Sequence, residues 1–276
     1  MFYLTMTLIA SLAWSVFDLK RKQLVQHTSA LALSFWLTIA VIPVYVLWIV
    51  GLDIPWPETA YWLPGLASLI VSTVAVVAFV RALKIGEIAL LMPVLSLAPV
   101  VSSLLAWVLT GEVLSQREML AMAVIVGIIF LLQGGWQFKV RKGFGLMCVV
   151  ACGWGTGTAF DNLAVQSAEP VMHAFLQCIG IGVLLGTGLL IRDQRIPKAP
   201  AAIPLIIATL LFCMAVVSQF YALIGMHPGV VETVKRGIGM LGAVIWGVWL
   251  FGERVRSWQL ALIGLLVLSI AVLMWP

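Results

Sequence analysis

The sequence predicts an all-α integral membrane protein of ten transmembrane helices, arranged as two inverted five-helix repeats. Three observations lead there. Of the 276 residues, 63% are apolar and only 10% are charged, whereas about a quarter of an average soluble domain is charged. The apolar runs are about 18–24 residues long, matching the ~20 residues a helix needs to cross ~30 Å of hydrocarbon. Short motifs also recur half a chain apart.

A soluble fold of this size could not hide so much apolar surface, so the excess faces lipid. Transmembrane strands would alternate in ~10-residue segments, and no such alternation is present. The runs fall at 2–19, 31–50, 61–80, 87–110, 117–135, 143–163, 171–191, 201–224, 229–251 and 257–275. The short connections between them leave no room for a soluble catalytic domain. Gly237-Ile238-Gly239-Met240-Leu241-Gly242 has dinucleotide-loop spacing but lies inside an apolar run without a preceding strand, so it reads as close helix packing. The first run has neither a basic leader nor a small-residue cleavage site and is expected to stay in the protein. Cys148, Cys152, Cys178 and Cys213 all fall in apolar runs and are expected to be small buried residues, with no metal site and no cofactor.

Basic residues are unevenly placed. Lys20, Arg21, Lys22, Arg81, Lys84, Lys139, Arg141, Lys142, Arg192, Arg195, Lys198, Arg254 and Arg256 flank the odd-numbered connections, and Arg117 alone flanks the even ones. Positive residues favour the cytoplasmic side, which places both termini outside. The net charge of +5 therefore reflects orientation, and no nucleic-acid partner is implied.

The repeat is visible in two motifs. Ala82-Leu83 precedes Gly111-Glu112 by 29 residues, and Ala222-Leu223 precedes Gly252-Glu253 by 30. Trp14…Phe17-Asp18 is matched by Trp154…Phe160-Asp161. Residues 1–137 and 138–276 are thus expected to be two five-span units. Five is odd, so the second unit must cross the membrane upside down, an arrangement used by carriers that rock one half against the other.

The paired Gly-Glu, the stretch Trp14-Ser15-Val16-Phe17-Asp18-Leu19-Lys20-Arg21-Lys22, and Val234-Lys235-Arg236 followed by Leu250-Phe251-Gly252-Glu253 resemble the EamA-type family of the drug/metabolite transporter superfamily. The resemblance covers nearly the whole chain. It implies a ten-helix carrier of the bacterial inner membrane, with a cavity walled by spans one, three, four, six, eight and nine. Many such proteins export amino acids and other small metabolites. It also implies cytoplasmic termini, opposite to the charge count above.

Ionisable groups at membrane depth cost at least ~2.5–3.5 kcal/mol each on insertion scales, which makes them candidates for function. Counting from Pro228, Lys235 and Arg236 lie ~11 Å into the ninth span. Glu232 is three and four residues before them, on the same face. This set reads either as an internal ion pair or as a cationic group for a substrate carboxylate or phosphate. Asp18 and Asp161 are repeat mates that could bind a proton or an amine. Lys20, Arg21 and Lys22 would hold Asp18 at the interface, whereas Asp161 has no basic neighbour.

Among the tryptophans, Trp48, Trp56, Trp62, Trp136, Trp258 and Trp275 suit interfacial belts, while Trp14, Trp107, Trp154, Trp246 and Trp249 are weighed as aromatic contacts. Of these, Trp14, Trp107 and Trp154 join the candidate substrate site. Pro93 and Pro99 are expected to bend the fourth span. Gly153…Gly157, Gly182…Gly186 and Gly225…Gly229 read as close-packing pairs. His27, His173 and His227 sit near span ends and suggest no catalytic pairing, and the chain is not expected to be an enzyme.

The leading expectation is a carrier, in the export direction, of an amino acid or similar zwitterion, with proton coupling open to its carboxylates and a monomer sufficient. The alternatives are an organic-cation or planar aromatic carrier, or a component of a lipid-linked sugar flippase.

Overall fold

The computed structural model describes residues 1–87, 91–111, 115–132, 142–193, 196–252 and 256–274. Glu112, Trp136, Lys139, Arg141, Arg195, Glu253, Arg254 and Trp275, all used above, lie outside them. Ten α-helices are present among the described residues: α1 (Phe2–Val25), α2 (Ala30–Leu52), α3 (Trp62–Ile85), α4 (Leu97–Thr110), α5 (Gln116–Leu132), α6 (Phe144–Ala164), α7 (Pro170–Asp193), α8 (Ala202–Gly225), α9 (Pro228–Phe251) and α10 (Ser257–Met274). Among the described residues, five helical segments, Phe2–Val25, Ala30–Leu52, Thr59–Ile85, Pro170–Arg192 and Ala202–Gly225, are long and apolar enough to cross a membrane. Large apolar side chains such as Leu47, Leu63, Ile191 and Trp249 project outward, as a lipid-facing surface requires.

Local chemistry explains several ends. The Ser29 hydroxyl accepts from the Ala32 amide at 3.2 Å and starts α2. Pro228 opens α9, where its missing N–H is no loss. The repeated glycines of the Gly-Glu pairs have a structural explanation: Gly111 (φ 74°) closes α4 and Gly252 (φ 63°) closes α9. A Cβ at either would meet open space, so the left-handed backbone alone calls for glycine there.

The packing of the helices maps onto itself when the halves are exchanged. α3 lies on α6 while α1 lies on α8, and α4 lies on α6 while α1 lies on α9. α2–α7, α4–α9 and α5–α10 pair each helix with its own mate. Almost every major contact therefore joins the two halves. Close approach comes from small residues: a Cβ at Gly155 would stand 2.6 Å from the Ala98 carbonyl oxygen, and one at Gly153 would stand 2.9 Å from the Ala75 Cβ.

Three local expectations are corrected. α1 runs on to Val25, so Arg21 and Lys22 are buried side chains of a helix rather than connection charges. Pro93 lies in a 3-10 turn, Met92–Ser96, and Pro99 in the first turn of α4. Leu91, just ahead of the turn, is α-helical and its amide donates to the Glu87 carbonyl at 3.1 Å, so the fourth run passes from α to 3-10 and back to α at these prolines, and the expected interruption stands. Gly225 and Gly229 belong to different helices, facing Tyr3 and Ser103 respectively, and form no packing pair. Cys152 is exposed, while Cys178 and Cys213 are buried as expected.

Candidate functional site

A cavity of about 130 Å³ lies between the halves. α1, α3, α6, α8 and α9 line it, as do the 3-10 turn before α4 and, beyond the expectation, α2 through Thr38 and α7 through Gln177. Of the eight candidate residues, Trp14, Asp18, Trp154, Asp161, Lys235 and Arg236 are in its wall. Glu232 stands immediately behind, fully buried and bonded to both α9 cations. Trp107 is elsewhere: it is 50% exposed on α4 and does not line the cavity. Its depth in the fourth run reflects a lipid-facing position. Trp249 is also exposed, and Trp246 is partly buried with its Nε1 lacking a partner among the described residues.

Glu232 organises the first charge cluster. Lys235 donates to its Oε1, and Arg236 donates to Oε2 from Nε at 3.0 Å and Nη2 at 2.7 Å. The Thr158 hydroxyl of α6 adds a bond to Oε1 at 2.8 Å. The intervals of three and four residues put the first three bonds within reach on one helix face, and α6 supplies the fourth. Lys235 also donates to Gln219 Oε1 of α8 at 2.8 Å, an oxygen shared with the Trp14 indole N–H at the same distance. Trp14 is therefore tied to the cluster, with the Lys235 ammonium 5.7 Å from its ring centroid, and the Arg236 guanidinium is 5.0 Å from that of Trp154.

The second cluster surrounds Arg21. Only 2% exposed, Arg21 donates to Asp18, one turn earlier on α1. Its guanidinium is 4.5 Å from the Phe17 ring centroid, 4.4 Å from Phe79, 5.5 Å from Trp14 and 5.7 Å from Trp154. A cation so deep is tolerable because a carboxylate and aromatic faces replace its water.

The third cluster centres on Asp161. Ser68 of α3 donates to Asp161 Oδ1, and His173 Nε2 lies 3.0 Å from the same oxygen. The Tyr61 hydroxyl is 3.0 Å from His173 Nδ1. No group of three or more His, Cys, Asp or Glu side chains suited to a metal occurs among the described residues.

The sequence reading missed Arg21, Ser68, Thr158, His173 and Gln219. Arg21 was hidden by ending the first run at residue 19. His173 follows Pro170 by less than one turn, so its nearness to the span end was legible but its inward direction was not. The uncharged polar residues carried a usable signal, since a Gln or Ser deep in an apolar run needs a partner.

The EamA-like transporter family model matches residues 1–133 and again 141–275. The chain belongs to this family of membrane transporters, whose members carry solutes rather than catalyse reactions. One solved crystal structure, whose description names no activity, aligns with a TM-score of 0.69 at 16% identity, covering 98% of this chain and 95% of that one. At that identity it supports the fold alone. No curated protein matches the chain by sequence.

Proposed function

We propose that this transporter is a secondary carrier that exports a small zwitterion, an amino acid or amino-acid-like compound, across a bacterial inner membrane. Ten spans in two inverted halves would alternate access to the cavity. Termini on the outer side fit the charge count: without Arg21 and Lys22, eleven basic residues still flank the odd connections against Arg117 alone.

One observation carries the substrate class, the uneven pairing of charge around the cavity. Arg21 is matched by Asp18, whereas Lys235 and Arg236 share one carboxylate, leaving a cationic pole on α9. Asp161 is bonded to Ser68 and His173, neither a fixed cation, and forms the opposite pole. Thr158 touches the α9 cluster and precedes Asp161 by three residues. Thr158 and Asp161 are thus about one helical turn apart on α6, ~5 Å of rise, which brings both poles to one small cavity. Lys235 and Arg236 would take the carboxylate, Asp161 the ammonium, with Glu232 and Asp18 holding the cations in place and Trp14 and Trp154 walling the site.

Size argues the same way. A volume of 130 Å³ corresponds to roughly ten single-water sites and is below the ~300–1,000 Å³ of pockets for drug-sized ligands. A large planar aromatic compound or a polyprenyl sugar is disfavoured.

The test is thermal stabilisation of the purified protein against L-amino acids, amines, nucleosides and flavins. A ligand at ~100 Kd adds about 2.7 kcal/mol. Stabilisation by an amino acid, absent from its decarboxylated amine and lost in Lys235→Gln, is expected. Stabilisation by amines alone, indifferent to Lys235→Gln, would favour the organic-cation reading.

A further inference from the structure

His173 is the one buried histidine of the three in the chain, fully enclosed, and the transport reading above leaves it without a role. Both ring nitrogens are engaged, Nδ1 with the Tyr61 hydroxyl and Nε2 with Asp161 Oδ1, each at 3.0 Å. The sequence Tyr61–His173–Asp161–Ser68 crosses between the halves twice. Its inner members, Asp161 and Ser68, line the cavity, whereas Tyr61 and His173 stand behind them. Tyr61 ends the 3-10 turn Thr59–Tyr61 just ahead of α3, and His173 is in the first turns of α7. The chain of bonds thus leads from the cavity wall toward one end of the bundle.

We propose that His173, held on Asp161, is the proton site of this carrier, and that a proton on its ring and an ammonium at Asp161 exclude one another. The inference rests on the reading of Asp161 as the anionic pole of the substrate site.

The geometry serves both protonation states without moving a heavy atom. With a neutral ring, Tyr61 donates to Nδ1 and Nε2–H donates to Asp161. With a charged ring, Nδ1–H donates to the Tyr61 oxygen, which can accept as readily as donate. The Phe220 ring, its centroid 4.4 Å from that of the imidazole, is a favourable neighbour for the charged form. A residue serving only as a lock would need one of these states.

Asp161 is the charged group in contact with the ring; the connection at this end adds Asp53, the C-cap of α2, and Glu58, whose amide donates to the Ser167 carbonyl ahead of α7. α7 packs on α2, α3 and α8. α2 and α8 contain no Asp, Glu, Lys or Arg, and their titratable groups are Tyr45, Cys213 and Tyr221. The 3-10 turn ahead of α3 offers Tyr61 at this level, and Arg81 of α3 is thirteen residues beyond Ser68, ~20 Å along the helix. On α7, Cys178 is buried, and Arg192 and Asp193 are at the far end. Glu169, just before the helix, accepts from the Tyr221 hydroxyl and the Val171 amide. Across the cavity, Glu232 holds Lys235 and Arg236.

The exchange balances. A proton from water binds Nδ1, and the imidazolium and the Asp161 carboxylate together become neutral, so the pocket no longer attracts an ammonium. When an ammonium reaches Asp161, it brings a second positive charge to the same oxygen, and Nδ1 returns its proton to water. One proton leaves for each ammonium bound, and the two load on opposite sides of the membrane.

The experiment uses the full chain in proteoliposomes, with radiolabelled L-alanine, L-threonine and L-lysine as probes. Accumulation across a one-unit pH gradient is divided by accumulation without it, a ratio independent of how much protein is active. With the membrane potential clamped to zero by potassium and valinomycin, one-for-one exchange allows a ratio of up to roughly tenfold, expected for the wild type and for His27→Gln, an exposed control. His173→Gln and Tyr61→Phe should bring it toward one, and a wild-type ratio retained by both would overturn the proposal. Nitrogen-15 spectra of histidine-labelled protein supply a readout without substrate. His173 should change protonation reversibly with pH and hold its proton less firmly in Asp161→Asn; a ring indifferent to both would overturn the proposal. If no amino acid is bound or moved while His173 responds to pH and to Asp161→Asn, the zwitterion reading fails and the proton site stands.

Discussion

Glu232→Gln is expected to destabilise the folded carrier by about 3–5 kcal/mol, the cost of removing one partner from a buried ion pair. Glu232 is completely buried and accepts from Lys235, from two nitrogens of Arg236 and from Thr158. Glutamine keeps the shape and one acceptor but leaves two cations without a counter-charge. In detergent the loss should read as a fall in Tm on the order of 10 °C. The double variant Glu232→Gln with Lys235→Gln should recover part of it, because one of the stranded charges is gone. An unchanged Tm in the single variant would mean that the cluster is solvated from the cavity and contributes nothing to the packing of α9.

Asp161→Asn separates binding from folding. Asparagine still offers an oxygen to Ser68 and His173, so stability should change little. The ammonium of a zwitterionic ligand, however, loses its counter-charge in a buried site, a change that costs about 2–5 kcal/mol. Affinity should fall by at least about thirtyfold, measured by titrating the ligand found in the stabilisation screen. Retained affinity in Asp161→Asn, with binding abolished in Lys235→Gln, would place recognition on the cationic pole alone and remove the ammonium from Asp161.

Much of this arrangement was legible from residue types and spacing. The Glu232–Lys235–Arg236 set follows from intervals of three and four on a helix begun by Pro228, and the structure adds only that Thr158 and Gln219 complete it. The kinship of Asp18 and Asp161 was visible in the repeated Trp…Phe-Asp pattern, and both reach the same cavity. Direction around a helix was not visible where nearly every neighbour is apolar. In α4 the small and polar residues Ala98, Ser102, Ser103 and Ala106 turn inward, which sends Trp107 to the outer face. Arg21 was misjudged for another reason. A basic residue after an apolar run suggests the end of a span, and only the cage formed by Phe17, Phe79, Trp14 and Trp154 explains how the helix continues past it. His173 depended wholly on tertiary contact, since Tyr61, Asp161 and Ser68 are far from it or on other helices.

The proposed route of the solute is the cavity between the halves. The most direct measurement places a single cysteine at Thr158, in the cavity wall beside Glu232, after replacing Cys148, Cys152, Cys178 and Cys213 with alanine. The protein is treated in proteoliposomes with a small methanethiosulfonate reagent. Transport should stop on modification, recover with a thiol reductant, and be protected by the ligand that stabilises the protein. Full modification of Thr158→Cys with transport intact would contradict the account.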